Sequence, residues 1–341
     1  MIIGLIALLV MVIIHEWGHF IAGRICKLPV YEFSIGMGPL LFQHQGKKET
    51  KWSIRLLPIG GYCAFDNLED ASSTKNGITD LALDTLSIPK RIFICAAGPF
   101  MNILFAFIIT FILMLSSGNV ITTTKIMDVV EGSVAENQIM AGDHILMIDG
   151  IDVCDKREKL TNSIQNSNGK TLEIVLDRNG ETKTVFVKPE KKDGTYFLGI
   201  MQLNEFSSLP ISKATPKTFS TMWQYTKGII DGFIGILNRK YGLNDVSGVV
   251  GVVDMMSGYA TKNTIRQFVM IIALVSMNLG LVNLAPIPGL DGSKICYSIY
   301  EAVTKKKPNP KIISTATSIS MAILLGFMIL ITISDLMKIF G

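Results

Sequence analysis

Four apolar runs, at roughly residues 1–22, 92–116, 267–289 and 312–334, constrain this 341-residue chain more than any other feature. Each is about the 17 to 25 residues that an α-helix needs to cross a hydrocarbon core. Hydrophobic residues make up 49% and charged residues 18%, a composition that suits several spans and one modest polar domain rather than an ordinary soluble enzyme. The formal net charge is +4 and no basic stripe interleaves with aromatics, so nucleic acid is not expected as a partner. Cys26, Cys63, Cys95, Cys154 and Cys296 are scattered with no C-x-x-C pair, which predicts neither a disulfide framework nor a thiolate metal site. No Lys or Arg precedes the first run and no small-residue cleavage pattern precedes Arg24, so that run reads as a retained span rather than a signal peptide.

The third run is the least regular. It carries Asn278 and Asn283 and dissolves into "NLAPIPGLDG", Asn283 to Gly292, where two prolines remove backbone donors and forbid a regular helix. Irregular backbone at membrane depth survives only inside protein or around a wet cavity. Arg24, Lys27, Lys90 and Arg91 flank the first long connection, and Lys305, Lys306, Lys307 and Lys311 separate the third and fourth runs, so both loops are expected in the cytoplasm. Spans one and three then run inward, and His15 and Asp291 reach a similar depth. Asn102 joins that layer from the second span, about 10 residues or 15 Å along its helix.

The only long polar stretch lies between the second and third runs. "GDHILMIDG" (Gly142 to Gly150) reads as a strand closed by an Asp-Gly turn, and "TLEIVLDRNGETKTVFV" (Thr171 to Val187) alternates about an Asn-Gly hairpin turn. With "DKREKLTNSIQNS" between them as a helix, residues 120–202 predict a small α+β domain. In the first cytoplasmic loop, "LLFQHQ" and "KWSIRLL" flank the turn "GKKET", a β-hairpin at about 40–57 apolar enough to lie against the bilayer. Residues of about 210–240 mix apolar positions at helical spacing with Lys and a lone Asp, which favours an interfacial amphipathic helix over a fifth span.

The first run contains "HEWGH". H-E-x-x-H on a helix sets His15 and His19 one turn apart on one face, where both imidazoles can hold one zinc ion while Glu16 reaches a water that the metal activates. Ionisable groups are expensive inside a span, so the cluster points to function; its structural alternative is polar glue to a neighbouring helix. His44 and His144 read as ordinary surface residues. A catalytic zinc needs a third protein ligand, and Asp291 is the best-placed carboxylate, although an Asp-Gly turn at a membrane boundary also accounts for it. Asp335 reads as an interfacial residue. In "AAGPFMN", Gly98 and Pro99 weaken the helix and Asn102 offers an amide, to a site or to plain helix packing.

Taken together, these residues resemble the site-2 protease family of intramembrane zinc metalloproteases, the bacterial type with a single PDZ domain. His15, Glu16 and His19 match its H-E-x-x-H, Asp291 the acid of its L-D-G within "PIPGLDG", and "GPFMN" its G-P-x-x-N. "VSGVVGVVD" resembles a further family stretch, with Val249 where the usual G-P-V-G has proline. The resemblance implies a polytopic α-helical membrane protein with four transmembrane helices, a membrane-associated β-hairpin region and one extracytoplasmic α+β PDZ-like domain. Its parts are 1–119 with H-E-x-x-H and G-P-x-x-N, 120–202 as the PDZ-like domain, 203–264 as amphipathic helix and connecting loop, and 265–341 with the L-D-G. It implies a Zn2+ endopeptidase of the bacterial plasma membrane, active in the cytoplasmic half, that cleaves spans of single-span proteins such as pre-trimmed anti-sigma factors or remnant signal peptides. Asn102 is implied to position substrate or support the site. A membrane scaffold using the PDZ-like groove and a metal-ion transporter are the competing readings.

Overall fold

A computed structural model describes residues 2–46, 50–65, 81–192, 194–240, 247–261 and 265–340. The chain resolves into two compact units, Met1–Leu113 with Thr215–Gly341, and Met114–Ala214. Among the described residues, four helices are long and apolar enough to cross a membrane: α1 (Ile2–Ile25), α3 (Ile88–Ser117), α7 (Ile265–Asn283) and α9 (Pro310–Phe340). Between them stand the short α2 (Leu81–Asp84), α4 (Arg157–Asn166), α5 (Ile211–Leu237), α6 (Val249–Thr261) and α8 (Asp291–Thr304). The third apolar run ends its helix at Asn283, earlier than its composition extends, because Pro286 and Pro288 follow.

The first unit is built on close helix approach. A side chain at Gly18 of α1 would put its Cβ 2.3 Å from the Ala97 carbonyl of α3, and one at Gly280 of α7 would sit 2.8 Å from the Pro99 carbonyl. Small residues at these crossings let backbones meet where lipid offers no hydrophobic drive for association. Helix α5 lays Met222, Tyr225 and Ile229 against Ile103, Ala106 and Phe107 of α3 and Met277 and Leu281 of α7, while Phe219, Trp223, Ile230 and Phe233 stay exposed. Lys213, Lys217, Lys227 and Asp231 gather on a separate face, so α5 is amphipathic, as its sequence predicts, and is not among the helices apolar enough to cross a membrane.

Strands β1 (Glu32–Gln45) and β2 (Lys51–Ala64) form a sheet of four segments rather than the single hairpin expected. Each strand bends back on itself: Gly36 and Gly38 in β1 and Gly60 in β2 adopt φ of 84°, 83° and 87°, which side chains disfavour. Residues 32–35 pair in parallel with 51–54 and antiparallel with 61–64, while 40–45 pair antiparallel with 51–55. The expected pairing about 40–57 is present, but it makes one edge of a wider sheet; turn residues 47–49 lie outside the described residues. Trp17 and Phe20 of α1 pack on Phe33 and Trp52 at centroid distances of 5.3–6.3 Å, which fixes the sheet beside α1.

The second unit is a twisted antiparallel sheet with order β10-β3-β4-β6-β7. Its strands are β3 (Asn119–Val129), β4 (His144–Ile148), β6 (Leu172–Arg178), β7 (Glu181–Val187) and β10 (Ile200–Ser207), with β5 (Ile151–Asp152) on β4 and a separate hairpin of β8 (Glu190–Lys192) and β9 (Thr195–Phe197). The Asp149-Gly150 and Asn179-Gly180 turns both have two residues at positive φ, the primed geometry that two-residue hairpins prefer. Leu160 and Ile164 of α4 join Ile145, Ile148, Ile174 and Leu176 in its core. Asp143, 1% exposed, binds the Arg178 guanidinium through both oxygens at 2.7 Å.

Candidate active site

Helix α1 presents His15 and His19 on one face, one turn apart, and their Nε2 atoms lie 3.3 Å from each other. Asp291 opens α8, and its Oδ2 lies 3.1 Å from His15 Nε2 and 3.2 Å from His19 Nε2. Three donors from residues as far as 276 positions apart thus converge on one point. A tetrahedral ion with nitrogen and oxygen ligands at about 2.0–2.2 Å spaces its ligands about 3.3–3.5 Å apart, and the three separations match this to within about 0.4 Å.

The imidazoles are prepared for that role. His19 Nδ1–H donates to the Ile94 carbonyl of α3 at 2.8 Å, so the lone pair of this neutral ring sits on Nε2 and faces the cluster. Gly98, one turn further along α3, makes this reach possible: a Cβ there would lie 2.2 Å from His19 Nε2. His15 Nδ1 faces the amide of Asn102 at 3.3 Å. Asn102 is 0% exposed and its Oδ1 is buried without a hydrogen-bond partner. A half-turn of the amide would let that oxygen accept the Nδ1–H and free His15 Nε2 in the same way. Ser276 of α7 donates to the Asn102 carbonyl at 2.9 Å and holds the residue in place.

Asp291 is positioned by the broken backbone before it. Gly289 has φ of 100°, and at Gly292 a Cβ would lie 2.3 Å from the carbonyls of Leu284 and Ala285. The first turn of α8 can therefore fold tightly against the end of α7 only with glycine after the aspartate. At the far end of α8, Glu301 accepts from Arg91 of α3 at 2.7 Å, and both are largely buried. The helix carrying Asp291 is thereby tied to the helix carrying Asn102.

A cavity of about 490 Å³ opens on this cluster, lined by His15, Glu16, His19 and Asp291 and, from the sheet, by Met37, Gly60, Tyr62 and Cys63. Glu16 follows His15 and lies partly buried in the cavity wall. The sheet edge that reaches the cavity is therefore 60–63, at the opposite side of the sheet from the 40–45 segment. Burial, with the Glu16 carboxylate beside it, pushes the Cys63 thiol up from its ordinary value, and this thiol lines the cavity without being one of the three converging ligand atoms. Asn102 is not among the lining residues. Asp335, read from sequence as interfacial, is 2% exposed: its Oδ2 accepts N–H groups of Gly248 and Gly251 at 2.9 and 2.8 Å. It caps the N-terminus of α6 from a neighbouring helix, a role its distance in sequence concealed.

Comparisons with known proteins agree with this chemistry. The family model described as Peptidase family M50 matches residues 3–327. Zinc metalloprotease RasP of Shouchella clausii is 28% identical over 97% of this chain and 97% of its own length. A chain of Fusobacterium nucleatum subsp. nucleatum named by inference as a zinc metalloprotease is 31% identical over 99% of each. The solved PDZ domain of the SdrC-like protein of Listeria innocua is 25% identical, covering 24% of this chain and 92% of its own, with a TM-score of 0.22. This multi-pass membrane protein belongs to peptidase family M50, the site-2 protease family.

Proposed function

We propose that His15, His19 and Asp291 hold zinc, that Glu16 is the catalytic base, and that the chain cleaves transmembrane segments of single-span proteins such as pre-trimmed anti-sigma factors or remnant signal peptides. The observation that carries this reading is the convergence of three donor atoms, at 3.1, 3.2 and 3.3 Å, on the wall of a cavity that also contains Glu16. Zinc, when bound there, supplies a Lewis acid for the scissile carbonyl and for the attacking water. Glu16 takes a proton from that water and passes it to the leaving amine nitrogen.

A peptide bond within a membrane helix is shielded by its own hydrogen bonds and by lipid, so the substrate must be extended locally. The sheet edge at residues 60–63 lies along the cavity and offers backbone groups to such a segment by strand addition. Asn102, buried against His15, acts by holding that ring rather than by touching substrate. The basic loops favour an active site in the cytoplasmic half of a bacterial plasma membrane, with the β3–β10 domain, a PDZ-like module, outside. There it binds a newly exposed carboxyl terminus or excludes substrates with bulky ectodomains. One compact donor set at a single depth is unlike the string of weak sites that transport favours, and a scaffold would need neither His15 nor Asp291.

The test is cleavage of tagged single-span substrates, signal-peptide remnants included, by wild type and Glu16→Gln at matched membrane abundance. Product from wild type alone, with zinc retained by the variant, is expected; equal product from both would remove Glu16 as base.

A further inference from the structure

A second cluster of metal-ligating side chains among the described residues lies in the Met114–Ala214 unit: His144, Cys154 and Asp155. His144 opens β4, and the tight β4–β5 hairpin returns the chain so that Cys154 and Asp155 come beside it. His144 Nε2 lies 3.2 Å from Asp155 Oδ1 and 3.7 Å from Cys154 Sγ, and Sγ lies 4.0 Å from Asp155 Oδ2. A tetrahedral ion with nitrogen and oxygen at about 2.1 Å and sulfur at about 2.3 Å sets N···O at about 3.4 Å and N···S and S···O at about 3.6 Å. The two separations from His144 Nε2 fall within about 0.2 Å of those figures; the 4.0 Å approach of Sγ is to the other carboxylate oxygen, and one ligand atom from each of the three residues lies within 4.8 Å of the others.

The backbone holds this arrangement. Asp155 adopts φ of 51°, and its N–H donates at 3.0 Å to Thr124 Oγ1, which itself donates to the Ile145 carbonyl at 2.8 Å. Cys154 N–H donates to Asp152 Oδ1 at 3.0 Å. The cations alongside pair with other carboxylates, Lys125 with Glu205 and Lys156 with Asp152. His144 and Cys154 are half-buried and Asp155 is exposed, which leaves an approach for an ion and one position for water.

We propose that His144, Cys154 and Asp155 form a second metal site, separate from the His15–His19–Asp291 cluster, that takes a thiophilic divalent cation such as zinc. The metal–sulfur bond forms on the thiolate, so the Cys154 proton leaves to solvent as the ion binds. The bound ion joins residue 144 to residues 154 and 155 and clamps the base of the β4–β5 hairpin. Sequence reasoning set His144 aside as a surface residue and Cys154 as an idle thiol. Their spacing across an Asp-Gly turn belongs to no common metal motif, and only the hairpin brings them together.

Cobalt(II) tests the site selectively, because of the two clusters found among the described residues this one contains sulfur, and a thiolate gives a near-ultraviolet charge-transfer band. Full-length protein in detergent would be stripped with chelator and titrated with cobalt. The band is expected to saturate by two equivalents in wild type, where the other cluster also takes cobalt, and at one in the His15→Ala/His19→Ala variant, to vanish in Cys154→Ser, and to need at least ten-fold more cobalt in His144→Ala. Added zinc should raise the Tm of wild type more than that of Cys154→Ser, a comparison that stands even if the double histidine variant misfolds. No band in wild type, or an undiminished band in Cys154→Ser, would overturn the proposal.

Discussion

His15 and His19 show how much of the proposed metal site rests on the ring nitrogen that faces away from the cluster. His19 has its tautomer fixed by a backbone carbonyl, that of Ile94, which no side-chain substitution removes. His15 depends on the Asn102 amide, and it is the more vulnerable ring. Asn102→Ala is expected to weaken zinc binding about 10- to 100-fold, measured by competition with a chromophoric chelator, while cleavage recovers at saturating zinc. Unchanged zinc affinity with a raised KM would instead assign Asn102 to substrate. The H-E-x-x-H pair is legible in sequence because both rings belong to one helix turn. The Asn102 contact spans 87 positions, and from sequence the amide reads equally well as helix packing.

At the scale of elements, close approach and capping do the positioning. Gly98→Ala should leave α3 helical, since alanine favours a helix, yet its methyl group meets His19 Nε2. Zinc content per purified chain is expected to fall about ten-fold or more with helicity by circular dichroism unchanged; normal zinc content would show that His19 can yield. Asp335→Ala leaves the Gly248 and Gly251 N–H groups without their acceptor, a loss of about 1–2 kcal/mol. A lower thermal midpoint in detergent, partly restored by Asp335→Asn, is the expected result. Spans and hairpins were readable because apolar length and the Asp-Gly and Asn-Gly turns carry their own signals. The folding back of β1 and β2 was not: Gly36, Gly38 and Gly60 sit in apolar strands that pattern alone reads as straight.

For the whole molecule, the proposed function depends on the orientation that the loop charges favour. Cys154 lies in the Met114–Ala214 unit and Cys296 is exposed on α8. With the other cysteines replaced and chelator present, a membrane-impermeant thiol reagent is expected to label Cys154 in intact cells and Cys296 only after permeabilisation. The reverse pattern would invert the topology. One consequence reaches back to biosynthesis. His15 and His19 enter the membrane with the first helix, but the carboxylate that completes their cluster is 276 residues behind His15. A ribosome must therefore finish α7 and begin α8 before the donor set closes, so a truncated or half-inserted chain lacks the Asp291 carboxylate. The proposed metal site is thus complete only once residue 291 of 341 has been made and inserted.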